Sequence, residues 1–233
     1  MQAIILAGGL GTRLKSVVAD KPKALSPVAG KPFLHFIIQY LQNQGITSFI
    51  FSLGYLSNQV LIFLQEAYPN LNYQYTIEEI PLGTGGGIKK AIELATEPNV
   101  LIVNADTYFD VALQQLFQLH AVANAHCTIA LKHMTSFDRY GTVELNQNNR
   151  IISFKEKKYT PSGLINGGYV LLNKSYFLEK SAVLPTVFSF EKDFLEVLLP
   201  KMTVQGFISE GFFIDIGIPE DYEKAQLDFM NFA

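Results

Sequence analysis

With one cysteine, Cys127, among 233 residues, the chain has no intrachain disulfide framework, and none of its Cys or His runs has zinc-ligand spacing. A reducing compartment, the cytoplasm, is the expected location. Excess positive charge is lacking too: 18 Lys+Arg stand against 21 Asp+Glu, a formal net charge of -3, which leaves no electrostatic footprint for nucleic acid. Basic residues that matter must act locally. No apolar run approaches the roughly 18 residues of a membrane span. The opening MQAIILAGG has too short an apolar run, and no basic flank, for a signal peptide, so it reads as a buried first strand. The four histidines show no metal or triad spacing, and Cys127 reads as core. What is present is 48% apolar residues, enough for one sizeable core, and the expectation is a single domain over residues 1–233 with no appended repeat domain.

Ala3 to Ala7 is a short apolar run ending in Gly8-Gly9, the pattern of a strand buried on both faces. Pro32 to Gln44 has helical spacing, with Phe33, Phe36, Ile37, Tyr40 and Leu41 on one stripe, Pro32 suited to a first helical position and Gly45 as terminator. The unit then repeats. Phe49 to Leu53 is strand-like, Ser57 is placed to cap a helix reaching about Tyr68, and Tyr73, Tyr75 and Ile77 alternate as a half-exposed strand. A glycine-rich loop, Leu82 to Gly87, leads into a short helix; Val100 to Val103 is a fourth buried strand, and Val111 to Ala123 is helical. Strands alternating with helices predict an α/β fold: an open, mostly parallel, Rossmann-like sheet flanked by helices. Beyond residue 126, short strands at Thr128 to Leu131, Thr142 to Leu145, Ile151 to Phe154 and Asn166 to Leu172, with a turn at Asn146 to Asn149, predict a smaller mixed β lobe. Helices are expected over Phe190 to Leu199 and, introduced by Pro219, over Glu220 to Phe229.

The sharpest chemical signal is Gly8-Gly9-Leu10-Gly11-Thr12-Arg13-Leu14 after the first strand. Glycines there let backbone N–H groups close on phosphate oxygens, and Arg13 adds a charged fork. Leu14 replaces the last glycine of the dinucleotide fingerprint, and no Walker GK[ST] follows. The bland alternative is a glycine turn that packs a helix on a sheet. Lys23, in Lys21-Pro22-Lys23, is either part of a solvated turn or, leaving the C-terminal edge of the first strand, within reach of the same phosphates. Asp106 and Asp215 each stand at a strand end, where a carboxylate either caps a turn or holds a cation; Asp110 is a nearby competitor. Lys157 lies in Lys155-Glu156-Lys157-Lys158, which in isolation also reads as a solvated run.

Taken together, the glycine loop with Thr12-Arg13, the Lys-Pro-Lys segment and Gly30-Lys31-Pro32 resemble the N-terminal signature of the sugar-1-phosphate nucleotidyltransferases. Leu82-Gly83-Thr84-Gly85-Gly86, Asp106, Glu156-Lys157, Asn166-Gly167-Gly168 and Asp215-Ile216-Gly217 resemble later motifs of that family in its order, over nearly the whole chain. Asn104-Ala105-Asp106 departs from the family's more usual Gly-Asp, with the carboxylate retained. The resemblance implies an enzyme in which a sugar phosphate oxygen attacks the α-phosphorus of a nucleoside triphosphate and releases pyrophosphate. Residues 1–125 would then mainly bind nucleotide and 126–233 mainly sugar. It implies Arg13 and Lys23 as catalytic, Leu6, Ala7, Gly8, Gly9, Gly11, Thr12, Glu78, Gly83 and Thr84 as nucleotide-binding, and Tyr140, Gly141, Glu156, Lys157, Asn166 and Gly167 as sugar-phosphate-binding. Asp106 and Asp215 would hold Mg²⁺, and a homodimer is a family-level expectation. Two polyanions must be brought together, so such catalysis is mostly charge neutralisation and positioning.

Glu78 falls five residues before Gly83, where the family places a side chain on the base edge. A carboxylate only accepts, and guanine offers two adjacent donors, which favours GTP; Glu79 is an alternative reader, and either residue also reads as an exposed strand end. Within the family, Leu131-Lys132-His133-Met134, Asp138-Arg139-Tyr140-Gly141-Thr142 and Phe188 to Phe194 are most similar to bacterial D-glycero-D-manno-heptose 1-phosphate guanylyltransferases, which implies GDP-heptose for a surface polysaccharide or glycoprotein. Competing expectations are a mannose-1-phosphate guanylyltransferase, a uridylyl or thymidylyl enzyme on another sugar phosphate, and a catalytically silent nucleotide-sugar binder. Arg13, Lys23, Asp106, Lys157 and Asp215 argue against the last.

Overall fold

A computed structural model describes residues 1–9, 14, 18 and 20–231. Its elements are β1 (Gln2–Ala7), β2 (Pro27–Val28), β3 (Lys31–Pro32), α1 (Phe33–Asn43), β4 (Ser48–Leu53), α2 (Ser57–Ala67), β5 (Tyr73–Ile77), α3 (Gly83–Ile92), β6 (Asn99–Asn104), β7 (Thr107–Phe109), α4 (Leu113–Val122), β8 (Cys127–Phe137), β9 (Thr142–Leu145), β10 (Ile151–Lys155), β11 (Thr160–Asn173), α5 (Lys174–Ser181), β12 (Val204–Ile208), β13 (Phe213–Asp215) and α6 (Pro219–Asp228). A π-helical turn occupies Phe190–Glu196.

Strands β6, β1, β4 and β5 lie side by side and parallel, with Ile4 opposite Ile50 on one flank and Ile102 on the other. Successive side chains of a strand point to opposite faces. Thus Ala3, Ile5 and Ala7 enter a core under α1, α2, α4 and α6, while Ile4 enters a second core under α3, α5 and the π-helical turn. β4 and β6 divide in the same way, Phe49 and Phe51 against Ile50, and Leu101 and Val103 against Val100 and Ile102. That two-sided burial is why these segments read as unbroken apolar runs.

Beyond β6 the sheet turns antiparallel. β11 pairs β6 through Tyr169–Asn173 and pairs β9 through Leu164 and Ile165, so β9 takes the place that β6 leaves at Asn104. β8 runs along the other side of β11 with a register shift between Asn166 and Val170, and β12 adds parallel to β8. Residues Asn166, Gly167 and Gly168 are this irregularity. A separate antiparallel ribbon pairs β7 with β13, with Asp215 opposite Thr107.

Several local expectations are corrected. Leu82 to Gly87 is not a loop: the glycines form the first turns of α3, a poor helix sequence held by contacts to residues 186–188. Ser57 does not cap α2; Leu56, at φ 54, stands at that position without a side-chain cap. Pro32 precedes α1 and pairs with Pro27. β8 and β11 are far longer than the short apolar cores that betray them, because their outer halves alternate with exposed polar residues. The segment from Phe190 begins as a π-helical turn and not as an α-helix.

His120 sits buried between Thr128 (2.8 Å from Nδ1) and Asn99 Oδ1 (3.3 Å from Nε2). Asn99 Oδ1 only accepts, so Nε2 carries the proton and Nδ1 accepts from the Thr128 hydroxyl, a neutral ring. Burial, with a smaller push from His126, lowers its pKa from 6.5 to about 4. The unfolded chain therefore takes a proton that the folded chain refuses between those values. Stability from this group is complete above pH 6.5 and lost as the pH falls toward 4, at a limiting slope of about 1.4 kcal/mol per pH unit. Urea unfolding across that range should show a shallower pH slope for His120→Gln than for the wild type; equal slopes would mean that His120 is not the group responsible.

Candidate active site

The carboxyl edges of β1, β4 and β6 open onto a cavity of about 620 Å³. Leu6, Ala7, Gly8 and Gly9 line it from the end of β1, and Glu78, Gly83 and Thr84 from the start of α3 and the segment before it. Lys23, Asp106 and Asp215 complete the far wall. Ligands of open α/β sheets bind at such strand ends. Gly11, Thr12 and Arg13 lie outside the described residues.

Glu78 follows β5 directly, and its carboxylate is held on several sides. Oε2 accepts the N–H of Leu82 at 2.9 Å, capping α3, and Oε1 lies 3.4 Å from the Ser52 hydroxyl. A methyl group at Gly8 or Gly87 would stand 2.8 or 2.7 Å from Oε1, so a side chain at either position would push the carboxylate from where it lies. Lone pairs remain for a ligand, since an ionised carboxylate offers about four acceptor sites. Glu79 is exposed and lines neither cavity, so of the two only Glu78 faces the larger one.

Asp106 lies in the turn between β6 and β7, and Asp215 closes β13. The pairing of β7 with β13, extended by the Ile216 N–H to the Asp106 carbonyl at 3.0 Å, brings them together. Thr107 donates to Asp106 Oδ1 at 3.1 Å, and the Gly217 N–H donates to Asp215 Oδ1 at 2.7 Å. The Tyr140 hydroxyl donates to Asp215 Oδ2 at 3.3 Å. Tyr140 is itself steadied by Arg139, whose guanidinium lies 5.4 Å over its ring and pairs with Asp221 of α6 at 2.5 Å. Burial, and then the charge of Asp106, raise the carboxyl pKa of Asp215, against Lys23, Gly217 and Tyr140. Burial and Asp215 likewise raise that of the Tyr140 phenol.

Lys23 does not point freely into the cavity. Its ammonium is 2.5 Å from Asp106 Oδ2 and 3.6 Å from Asp215 Oδ1. Two carboxylates drawn onto one cation form an oxygen set suited to a divalent metal ion, which needs one or two carboxylates when phosphates and water supply the remaining ligands. Among the described residues no cluster of three or more His, Cys, Asp or Glu offers a competing cage. Asp110 lines neither cavity.

A second pocket of about 160 Å³ adjoins the first and shares Asn104 and Asp215 with it. Tyr140, Gly141, Lys157 and Asn166, four of the residues that the resemblance implies for the sugar phosphate, line it. Glu156 does not; its carboxylate is exposed and pairs with Lys192 at 3.0 Å. Gly167 packs on the Phe109 ring, and its neighbour Gly168, at φ +78 and tight against Asn104, lines the pocket instead. Glu191, from the π-helical turn, supplies the acidic wall that sequence reasoning gave no role. Its carboxyl is pushed upward, first by the protein packed around it and then by Glu196, against Lys157 and Lys192. Asn104 was legible as a polar residue ending an apolar strand; Glu191 lies in the segment Phe188 to Phe194 that carries the resemblance, but nothing local pointed it at a pocket, because only the fold brings residues 190–196 to Lys157.

The nucleotidyl transferase family model matches residues 2–231. A D-glycero-alpha-D-manno-heptose 1-phosphate guanylyltransferase of Aneurinibacillus thermoaerophilus is 48% identical over 232 residues, covering 100% of both chains. Its counterpart in Campylobacter jejuni is 42% identical, covering 95% of this chain and 97% of the relative. The crystal structure of HddC from Yersinia pseudotuberculosis complexed with GMP-PN superposes with a TM-score of 0.86 at 35% identity, covering 98% of this chain and 99% of that one.

The start of α3 generates a stability prediction. Gly83 has φ +71, and a Cβ there would lie 2.6 Å from the carbonyl oxygen of Phe188, which also accepts the Gly85 N–H at 3.0 Å. Gly83→Ala should cost about 1–3 kcal/mol in urea unfolding through combined strain and crowding. A change below about 0.5 kcal/mol would mean that residues 186–190 yield without cost.

Proposed function

The chain belongs to the nucleotidyl transferase family, and from that premise we propose that it joins GTP to D-glycero-α-D-manno-heptose 1-phosphate, giving GDP-heptose and pyrophosphate for a surface polysaccharide or glycoprotein. The observation that carries this reading is the meeting of a large cavity and a small pocket at a shared wall of Asn104 and Asp215. A nucleoside triphosphate fills the first, a sugar phosphate fills the second, and the two phosphate groups meet beside the carboxylate pair. The names of the full-length relatives support the base and the sugar.

In the reaction a phosphate oxygen of the sugar phosphate forms a new bond to the α-phosphorus of GTP as the bond to the pyrophosphate oxygen breaks. No proton transfer between carbon centres is needed, so the protein's work is positioning and charge stabilisation. Glu78 accepts from guanine N1–H and N2–H₂, Gly8 and Gly9 admit the phosphates to the backbone, and Arg13 with Lys23 neutralises the departing pyrophosphate. Lys157 takes the phosphate of the sugar, with Asn166 and Tyr140 beside it. Asp106 and Asp215 are oriented by Thr107, Gly217 and Tyr140 to hold Mg²⁺, a hard cation matched to these oxygens. Bound there, the ion supplies charge neutralisation at the phosphates. We assign residues 1–125 mainly to the nucleotide and 126–233 mainly to the sugar. A cytoplasmic location and a homodimer belong to the same proposal; a buried free Cys127 and the lack of any helix long and apolar enough to cross a membrane among the described residues accord with that location.

Pyrophosphate release with Mg²⁺, crossing GTP, ATP, CTP, UTP and dTTP against heptose, mannose and glucose 1-phosphates, tests the reading; turnover should be confined to GTP with the heptose phosphate. Glu78→Gln sets an amide donor against a guanine donor and should lower kcat/KM for GTP about 10–100-fold. Lys157→Ala should raise KM for the sugar phosphate about tenfold or more. A preference for another nucleotide that survives Glu78→Gln would discard the guanine assignment.

A further inference from the structure

The Lys23 ammonium fills the space between the two carboxylates. A Cβ on Gly217 would lie only 3.0 Å from Nζ and 2.8 Å from Asp215 Oδ1, so the three groups share one small enclosure. The Lys23 side chain is 17% exposed, against 33% for Asp106 and 24% for Asp215. Its backbone begins the short 3₁₀ turn Lys23–Leu25, whose Ala24 and Leu25 are buried, so any movement of the charge must come from the side chain. A divalent ion at bonding distance from these oxygens, about 2 Å, and an ammonium on the same oxygens exclude one another by volume and by repulsion. With Lys23 in place the enclosure carries one net negative charge; with the lysine withdrawn it carries two, matching a divalent cation.

We propose that Lys23 is the resident counter-ion of Asp106 and Asp215, that a divalent cation enters only as its ammonium leaves, and that the phosphates of the nucleotide draw it away. The first part stands on the geometry alone; the last rests on the functional reading above. All three residues line the larger cavity, so an anion there lies within the sweep of the lysine. Linkage is reciprocal: if phosphate favours withdrawal and withdrawal favours the metal, each tightens the other. The lysine thus holds two repelling carboxylates together before substrate arrives and couples metal entry to nucleotide entry.

Free Mn²⁺ followed by electron paramagnetic resonance, with full-length protein and no nucleotide, reads the competition without turnover. Lys23→Met should bind Mn²⁺ about tenfold tighter than wild type or more, a coupling of ordinary size. Lys157→Met, which removes a charge from the smaller pocket instead, should change the affinity less than about threefold because of screening. Equal or weaker Mn²⁺ binding by Lys23→Met, or an equal gain in Lys157→Met, overturns the proposal. Should Lys23→Met unfold in EDTA, recovery of the fold by Mn²⁺ supports the proposal; without recovery, Lys23→Gln in the same titration decides. A second arm adds GTP without sugar phosphate, after subtracting the Mn²⁺–GTP chelation measured without protein. GTP should tighten Mn²⁺ binding more in wild type than in Lys23→Met. Equal tightening overturns the coupling. Failure of GTP to bind, with the first arm positive, removes the nucleotide assignment and leaves the counter-ion standing.

Discussion

The short antiparallel pairing of β7 with β13 is the constraint on which the site depends. It sets Asp215 opposite Thr107 and so beside Asp106, joining the end of the parallel sheet to a segment near the C-terminus. Two carboxylates drawn onto one ammonium repel each other, and burial sharpens the repulsion. The chain answers with a cation, Lys23, and with oriented donors from Thr107, Gly217 and Tyr140. Removing one partner of such a set leaves an uncompensated charge in a partly buried place, which costs more than the intact set contributes.

The ribbon is carried by aromatic packing beneath it. Tyr108 and Phe109 of β7 lie against Tyr40, Tyr169, Phe212, Phe213 and Phe229, and the Tyr40 hydroxyl donates to the Val111 carbonyl and accepts the Val111 N–H. Rings of this kind bury large area with few rotatable bonds, so they fix a backbone at low entropic cost. The carboxylates are thus placed by a rigid layer, while the ion pair above them is made by a long lysine side chain. Rigid support beneath and a movable charge above suit a site that must change its occupant.

Glycines serve the two cavities differently. Gly8 and Gly87 leave room for the Glu78 carboxylate, and Gly168 lets β11 approach Asn104 at the sheet's change of direction. Gly83, Gly85 and Gly86 instead let α3 dock on residues 186–188, which brings the π-helical turn and Glu191 to the smaller pocket. The glycine-rich start of α3 also links the walls of the two cavities, through the bond from the Phe190 N–H to the Thr84 hydroxyl.

The parallel half of the sheet is written into local pattern, because β1, β4 and β6 are buried on both faces and appear as continuous apolar runs. Asp106 and Asp215 also stood out as carboxylates at strand ends, whereas Lys23, Lys157 and Asn166 were marked through the resemblance to the nucleotidyltransferases and not by local pattern. The rest depends on contacts between residues distant in the chain. β8 and β11 extend past their apolar cores through polar residues that pair with other strands, and pairing over long separations leaves no local period. Glu156 and Glu191 are both acidic residues in charged segments, and nothing local says which one faces the pocket. The choice follows from where β10 ends and where α3 allows residues 186–196 to dock. Likewise the carboxylates and the lysine were each visible alone, but that the lysine lies on the carboxylates is a fact of distance, and distance between residues far apart in the chain exists only once the chain has folded.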